Sequence, residues 1–207
     1  MNYFKRTIFF ILICTSISIF AQSPISAASK LADLLNQFTT FEANFTQTTT
    51  DTQQQVMQRS NGRMMMERPG HFRWETQSPS HQIVITSGKK LWVYDVDLKQ
   101  ATEQSITNSP INPAKLLSGN TDDLLKQFTV HMIPHHNLIV FQLIPKQTNQ
   151  QFRSVAMAFA HDKLQSMQIQ NNSEQTTTFN FSDVKLNAQL SPDLFEFKAT
   201  SGVDVLK

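Results

Sequence analysis

The chain has little of what most nucleotide-binding and disulfide-bonded proteins contain. Its 207 residues include one cysteine and five glycines. A single cysteine forms no internal disulfide, and there is no glycine-rich loop to bind phosphate groups. No serine stands in the Gly-x-Ser-x-Gly pattern that exposes a hydrolase nucleophile. The sequence therefore lacks the motifs of the common classes of enzyme.

The N-terminal segment has the pattern of a secretory signal peptide. A basic stretch, 1–6, precedes an apolar run, 7–20, and small residues follow at 26–28. We expect cleavage after Ala28, which divides the chain into a removed leader, 1–28, and one domain, 29–207. The apolar run is short for a membrane span. The cysteine, Cys14, lies inside this run among large apolar residues, so we do not expect it to carry a lipid.

The charge balance argues against nucleic acid as a partner. The whole chain has 18 basic and 16 acidic residues. Lys5 and Arg6 belong to the leader, so the expected mature domain has equal numbers of each sign. A neutral domain without a basic stripe gives no electrostatic reason to bind a phosphate backbone.

The apolar pattern predicts one helix followed by many strands. Leu31, Leu34, Leu35 and Phe38 have helical spacing, and we expect Ser29 to cap that helix. From Phe41 the apolar period becomes two, as in a half-buried strand. The first strand is expected to begin at Phe41. Further strands are expected at 55–66, 71–76, 82–86 and 90–94, with one more that ends near Gln100. After the two short helices described next, strands are expected around 139–144, 155–159, 167–169 and 179–181. A single helical turn is expected at 191–193. Short strands at this spacing favour an antiparallel sandwich or barrel.

Two short helices are predicted to interrupt the strands. Asn112-Pro113 is a typical helix start and Gly119 a typical end. Asn120 or Thr121 then begins a second helix, with acidic residues in its first turn. Their shared apolar side consists of Leu116, Leu117, Leu124, Leu125 and Phe128. We expect this side to cover one end of the sheet.

Two groups of residues resemble a metal site or a catalytic pair, but a structural interpretation is favoured for both. His135-His136 lacks further ligands at metal spacing, and adjacent strand residues point to opposite faces. Asp95 and Asp97 flank a predicted turn, where solvated carboxylates are common. We expect no metal, no cofactor and no catalytic residue.

The segment 63–74 combines three methionines, two aromatics and Arg68 before a Pro-Gly turn. From these residues alone, an ordinary hairpin with Arg68 at a solvated edge is one interpretation. The expected mature chain also keeps 12 of 16 phenylalanines and 7 of 8 methionines. Such residues either fill a core or line a cavity that adapts to irregular ligands. The pattern alone leaves both interpretations open.

Several stretches resemble a known family. They are Phe41-Glu42-Ala43-Asn44-Phe45-Thr46-Gln47, Arg68-Pro69-Gly70-His71-Phe72-Arg73-Trp74-Glu75, Gln82-Ile83-Val84, Leu91-Trp92-Val93-Tyr94-Asp95, Asp97-Leu98-Lys99-Gln100 and Gly202-Val203-Asp204-Val205. Together they are similar to the periplasmic outer-membrane lipoprotein carriers, the LolA family. The resemblance implies a mainly β fold: an open, incomplete antiparallel β-barrel with a helical lid over a hydrophobic cavity.

The resemblance also implies a function and its residues. A periplasmic, monomeric carrier would take acylated lipoproteins from an inner-membrane ABC complex to an outer-membrane receptor. Arg68 matches the arginine that latches the lid, and Phe72 matches a position linked to the donor complex. The cavity and lid are expected to include Leu34, Phe45, Met64, Met66, Trp74, Ile83, Leu116, Leu117, Leu124, Met157, Phe159 and Phe181. The alternative is a lipid- or lipoprotein-sensing module of the same fold without transport activity.

Overall fold

The computed structural model describes residues 26–87, 90–105, 113–147 and 152–206. Three helices are seen in these ranges: α1 (Ala27–Asn36), α2 (Pro113–Ser118) and α3 (Thr121–Lys126). The strands are β1 (Thr40–Thr50), β2 (Val56–Glu67), β3 (His71–Ser78), β4 (Gln82–Ser87), β5 (Lys90–Asp95), β6 (Gln100–Ser105), β7 (Phe128–His135), β8 (Leu138–Pro145), β9 (Phe152–Ala160), β10 (Lys163–Asn171), β11 (Thr176–Leu186) and β12 (Asp204–Leu206). A 3₁₀ helix spans Pro192–Phe195.

All twelve strands form one sheet, in the order β12-β6-β5-β4-β3-β2-β1-β11-β10-β9-β8-β7. The sheet is open, because β7 and β12 are its two ends. The predicted mainly β, open-barrel fold is therefore confirmed. Neighbours pair antiparallel except β12, which pairs parallel with β6. The two halves of the strand order meet at β1, which pairs with both β2 and β11.

Alternation along the strands gives the sheet an apolar inner face. Phe41, Ala43 and Phe45 of β1 lie opposite Met66, Met64 and Gly62 of β2 in the antiparallel register. On the other side of β1, Phe45 lies opposite Phe181. We call this the inner face; side chains one position away, such as Glu42 and Arg63, lie on the outer face.

The three helices cover one end of the inner face. Leu31, Leu34 and Leu35 of α1 are fully buried, as their helical spacing predicts. The predicted cap, however, is wrong. The side chain of Ser26 caps α1 and accepts a hydrogen bond from the backbone N–H of Ser29 at 3.0 Å. Ser29 therefore lies inside the first turn.

The predicted leader cannot be followed in the structure. Residues 1–25 and Asn112, the predicted cap of α2, lie outside the described residues. Ser26, Ala27 and Ala28 are described and form the start of α1. Cleavage after Ala28 and the division at residue 29 remain predictions. No helix in the described part of the chain has the length and apolar character needed to cross a bilayer.

Two strands differ from the predictions. β6 begins at Gln100, where a strand was expected to end. The preceding residues form a turn, in which Asp95 accepts a hydrogen bond from the Leu98 N–H at 2.9 Å and Lys99 has a φ of 53°. β7 was not predicted at all. It is an edge strand in which Phe128 is the only buried residue, and Phe128 was predicted to belong to the apolar side of the preceding helices.

The segment after β11 packs on the outer face of β3–β5. The ring of Phe197 stacks on Trp92, with their centroids 4.7 Å apart. A guanidinium N–H of Arg73 donates to the carbonyl of Leu194 at 3.4 Å. The outer face of this part of the sheet is consequently covered.

Candidate functional site

Arg68 lies between the C-terminal ends of α1 and α2. Its Nε donates to the carbonyl of Leu117 at 3.0 Å. Its Nη1 donates to the carbonyl of Leu35 and, at 3.4 Å, to that of Phe38. One side chain of the sheet therefore contacts both helices. The interpretation of Arg68 as a solvated edge residue is wrong.

The chemistry of helix ends explains why an arginine suits this place. The last carbonyls of a helix have no partner inside the helix and carry partial negative charge. A guanidinium offers several N–H donors in a fixed fork, so it can bind carbonyls from two helices at once. Its carbon also lies 4.9 Å from the centre of the Phe38 ring. Burial lowers the pKa of Arg68, yet an arginine stays charged in proteins.

The Pro-Gly turn that follows Arg68 adds a second connection to α2. The N–H of Gly70 donates to the carbonyl of Ser118 at 3.0 Å. The hydroxyl of Thr86, from β4, donates to the carbonyl of Gly70 at 2.9 Å. Gly70 has a φ of 79°, in the region that favours glycine. We call residues 68–70 the latch turn, because it binds the last two carbonyls of α2.

Most of the predicted cavity and lid residues lie together in one buried cluster. This cluster includes Leu34, Phe45, Met64, Met66, Trp74, Leu116, Leu117, Leu124, Met157, Phe159 and Phe181. Aromatic rings organise its centre: Phe45 stacks on Trp74 with centroids 3.9 Å apart, and Phe179 meets Trp74 edge-on at 5.2 Å. Beneath the helices, these residues pack against one another as a core.

A cavity of about 440 Å³ opens beside this core, at the end of the inner face away from the latch turn. Its wall contains Gln47, Gln58, Ser60, Phe72, Trp74, Thr76, Pro79, Ser80, Gln82, Val84 and Phe179. Among the described residues of α2 and α3, none lines it. The two interpretations of the apolar residues thus apply to different parts of the inner face.

Ile83 is an exception among the predicted cavity residues. In the register of β3 and β4 it lies opposite Glu75, whereas Val84 lies opposite Trp74. Ile83 therefore points to the outer face and is not part of the cavity wall. Phe72 is only 2% exposed and lies in the wall, so it is not on the outer surface of the closed molecule.

Of the polar groups considered as candidate sites, the two aspartates have structural roles. Asp95 and Asp97 accept hydrogen bonds from backbone N–H groups of Leu98 and His81, both at 2.9 Å. The rings of His135 and His136 meet at the β7–β8 turn. Within the described ranges, no three His, Cys, Asp or Glu side chains lie together as a candidate metal site.

Comparison with known families decides the classification. The model of the family described as outer membrane lipoprotein carrier protein LolA matches residues 36–198. The chain belongs to the LolA family. An outer-membrane lipoprotein carrier protein of Coxiella burnetii (strain CbuK_Q154) is 45% identical over 194 residues, covering 93% of this chain and 92% of the relative. The carrier protein of Pseudomonas paraeruginosa is 34% identical and covers 98% of both chains.

Solved structures share the fold of this LolA-family chain at low sequence identity. An uncharacterized conserved protein from Thermus thermophilus has a TM-score of 0.56 at 10% identity, covering 87% of this chain and 99% of that one. MucB has a TM-score of 0.50 at 13% identity, covering 86% of this chain and 65% of that one.

The sequence did not reveal two parts of this LolA-family site. The polar wall residues Gln47, Gln58 and Ser60 lie in stretches that otherwise resemble ordinary strand ends. Asn187, after β11, accepts a hydrogen bond from the Thr39 N–H at 2.9 Å and donates to the Gln37 carbonyl at 3.1 Å. It thereby fastens the end of α1 to the sheet. The two-residue alternation along β1 and β2 indicates that the polar wall residues lie on the inner face. No local sequence signal identifies Asn187.

Proposed function

We propose that this LolA-family protein is a periplasmic carrier that binds the acyl chains of lipoproteins released from the inner membrane and delivers them to an outer-membrane receptor. One observation carries the proposal. Arg68, on the sheet, binds the C-terminal carbonyls of α1 and α2, and these helices close an apolar interior beside a cavity.

The cargo requires both a shield and a way to remove it. Each methylene exposed to water costs about 0.8 kcal/mol, so a multiply acylated protein does not cross an aqueous compartment freely. A carrier must therefore bury the chains and later release them. This is a binding and release cycle without a chemical step, in agreement with the carrier names of the relatives.

The latch turn supports a two-state cycle. In the closed state, Arg68 and Gly70 hold the C-terminal end of α2. In the open state, acyl chains replace the contacts that Leu116, Leu117 and Leu124 now make with the core. Hydrogen bonds worth about 1 kcal/mol each are strong enough to hold a short helix and weak enough to exchange.

The partners of the cycle are the finer part of the proposal. We assign an inner-membrane ABC complex as donor, an outer-membrane receptor as acceptor, and a monomeric carrier between them. Phe72 is proposed to engage the donor complex. Because its side chain is buried behind the latch turn, this engagement requires the open state.

A lipoprotein-sensing module is the weaker candidate. The chain covers 65% of the MucB structure at 13% identity, a likeness that shows the fold alone. The carriers of Coxiella burnetii and Pseudomonas paraeruginosa, in contrast, are covered over 92% and 98% of their length. The nearly full coverage of the two proteins named as carriers favours the carrier function.

Transfer between two membranes tests the proposal. The purified protein is incubated with vesicles that contain the donor complex and a triacylated lipoprotein, and then with vesicles that contain the receptor. We expect lipoprotein first in the soluble fraction and then on the receptor vesicles. A protein that leaves all lipoprotein on the donor vesicles is not a carrier.

The latch is tested in the same assay with Arg68→Leu. This variant is expected to take up lipoprotein and to pass it on more slowly or not at all. Arg63→Leu is the matched control, since Arg63 lies on the outer face and pairs with Glu42. Hand-over by Arg68→Leu at the wild-type rate would contradict the latch.

A further inference from the structure

The two ends of the sheet differ in length and regularity. At one end, β12 has three residues and begins with Asp204. At the other end, β7 has eight residues and pairs with β8 without a register shift. Within the described ranges, no strand pairs with the other side of β7. Natural edge strands are usually short, charged or interrupted by a bulge, because an unprotected edge accepts another strand.

The pairing with β8 determines which backbone groups of β7 point outward. Just before β7, the carbonyl of Gln127 accepts a hydrogen bond from the N–H of Lys146 at 2.9 Å, in the same register as β7 and β8. Hydrogen-bonded and non-bonded pairs alternate in an antiparallel ladder. The backbones of residues 129, 131, 133 and 135 therefore bond to β8, and those of residues 128, 130, 132 and 134 point outward. All four outward residues offer a carbonyl, and all except Pro134 offer an N–H.

The side chains of β7 are also suited to an added strand. On the inner face, Phe128 is buried, Val130 packs against the core and Met132 is 42% exposed. On the outer face, Ile133 is 48% exposed. Neither β7 nor β8 contains an aspartate, glutamate, lysine or arginine. An added strand would therefore extend the apolar inner face, and no charge on these two strands would select its sequence.

The free edge of β7 starts at the helices that cover the interior. Only Gln127 separates α3 from Phe128. The ring of Phe128 stacks on Phe152 with centroids 5.9 Å apart, in the same buried cluster as Leu124 of α3. Because β7 is one of the two borders of the open barrel, a chain can leave the interior along it without passing between paired strands.

We propose that the free edge of β7 binds the extended polypeptide that follows the acylated residue of a lipoprotein cargo. The inference goes beyond the acyl-chain site and rests on the proposed carrier function. The acyl chains lie beneath the helices, and the next cargo residues pair as an added strand with the outward groups of Val130 and Met132. Main-chain pairing does not depend on side chains, so it suits a carrier whose cargo proteins differ in sequence. Because the acyl group tethers the polypeptide, even weak pairing adds to the affinity.

Three synthetic lipids isolate the contribution of the polypeptide. The first is a diacylglyceryl cysteine followed by eight alternating alanine and threonine residues, the length of β7. In the second, every amide of those residues is N-methylated, which removes the donors and leaves the acyl group unchanged. The third carries a poly(ethylene glycol) tether of the same length.

Hydrogen exchange of the β7 amides, followed by NMR, is the direct measurement. In the free protein, the amides of Val130 and Met132 should exchange fast, whereas those of His131 and Ile133, which bond to β8, should exchange slowly. The first lipid should slow exchange at Val130 and Met132 by about tenfold or more, and the other two lipids should not. It should also bind about tenfold tighter than the N-methylated lipid.

Variants at Met132 test the same edge from the protein side. Met132→Pro removes an outward donor and no bond to β8, so the sheet should stay folded and most of the tenfold preference should be lost. Met132→Lys keeps the backbone intact and places a charge beside the added strand, so it should also reduce the preference. Ile144→Lys is the matched control, since Ile144 is 40% exposed and lies on the outer face of β8, opposite Thr129. It should retain the preference.

The outcomes separate this inference from the carrier function. If all three lipids bind equally and exchange at Val130 and Met132 is unchanged, the edge does not bind cargo, although the carrier function stands. If the protein alone is a dimer in which these amides are already protected, the edge binds a second copy and the inference is wrong. If no lipid binds, the carrier function is wrong, and so is the inference that rests on it.

Discussion

The Nε of Arg68 and the carbonyl oxygen of Leu117 lie 3.0 Å apart across 49 residues of sequence. The bond joins the start of the β2–β3 turn to the last turn of α2. It is reinforced two residues later, where Gly70 binds Ser118. A helix this short is not stable alone, so α2 is held on the sheet by these hydrogen bonds together with the burial of Leu116 and Leu117.

Replacement of Arg68 is expected to loosen α2 without unfolding the sheet. Arg68→Leu removes the donors for two helix ends, so the free energy of opening α2 should fall by about 1–3 kcal/mol. Arg68→Lys should cause a smaller loss, because a lysine keeps the charge and loses the fork. Hydrogen exchange of α2 amides measures this. Arg63→Leu is the control, because the native Arg63 side chain is 47% exposed and lies on the outer face. Unchanged exchange in Arg68→Leu would refute the role.

Gly62→Ala should destabilise the whole domain. A Cβ at position 62 would lie 1.9 Å from the carbonyl oxygen of Glu75 and 2.9 Å from the Phe45 ring. Relief of such an overlap in a packed sheet costs about 1–3 kcal/mol. Chemical denaturation measures the loss.

Gly202→Ala is the matched comparison for Gly62→Ala. Gly202 has a φ of 87°, and a methyl group added there would have no atom within 4 Å, so only conformational strain of about 1 kcal/mol is expected. If the two variants lose equal stability, steric contact at Gly62 is not the cause.

The Asn120 side chain is expected to contribute to the stability of α3. It accepts a hydrogen bond from the Asp123 N–H at 3.0 Å and so satisfies one free donor of the first turn. Asn120→Ala should cost about 1 kcal/mol, while Asn120→Asp should retain most of it. Thermal unfolding of the three proteins checks the order. Equal stability of the alanine and aspartate variants would contradict the capping role.

The fold was largely predictable because inner and outer residues alternate on most strands. Phe41, Ala43 and Phe45 show that period clearly, and they lie on the inner face. The period fails on β4, where Ile83 and Ile85 lie on the outer face and Val84 on the inner one. The segment after β11 covers the outer face of β4, so both faces of this strand carry apolar side chains, and a continuous apolar run gives no information about direction.

The site was predictable only in part. Arg68 was identified through its resemblance to a family position. Its partners are backbone carbonyls, such as that of Leu35, which any residue type supplies. The wall residues Gln47, Gln58 and Gln82 were missed for a related reason. Glutamines near strand ends are common on solvated surfaces, and only the register of β1, β2 and β4 brings them to one cavity.

Acid should weaken the sheet through Glu42. Its hydrogen bond with Arg63 is the largest influence and lowers the pKa of the Glu42 carboxyl, burial opposes this, and Lys185 adds to the lowering. A folded-state pKa below the ordinary 4.5 means that the contribution is present above pH 4.5 and is lost as pH falls through the folded value.

The variant Glu42→Gln tests that linkage. Between pH 7 and pH 3 the free energy of unfolding of the native protein should fall more steeply than that of the variant, by at most about 1.4 kcal/mol per pH unit for one proton. Denaturant titrations at a series of pH values measure both curves. Parallel curves would show that Glu42 is not responsible.

Phe72→Leu separates a role in donor engagement from a role in the cavity wall. Leucine keeps an apolar side chain in the wall, so binding of an acyl chain should change little. If, as proposed, the Phe72 ring contacts the donor complex in the open state, release of lipoprotein from donor vesicles should fall clearly. Trp74→Leu is the matched comparison: Trp74 stacks on Phe45 within the cluster, and its loss should weaken chain binding and release together. A ring that contacts the donor complex would affect lipoprotein release more than it affects acyl-chain binding. If release by Phe72→Leu falls only in proportion to acyl-chain binding, Phe72 acts through the cavity wall alone.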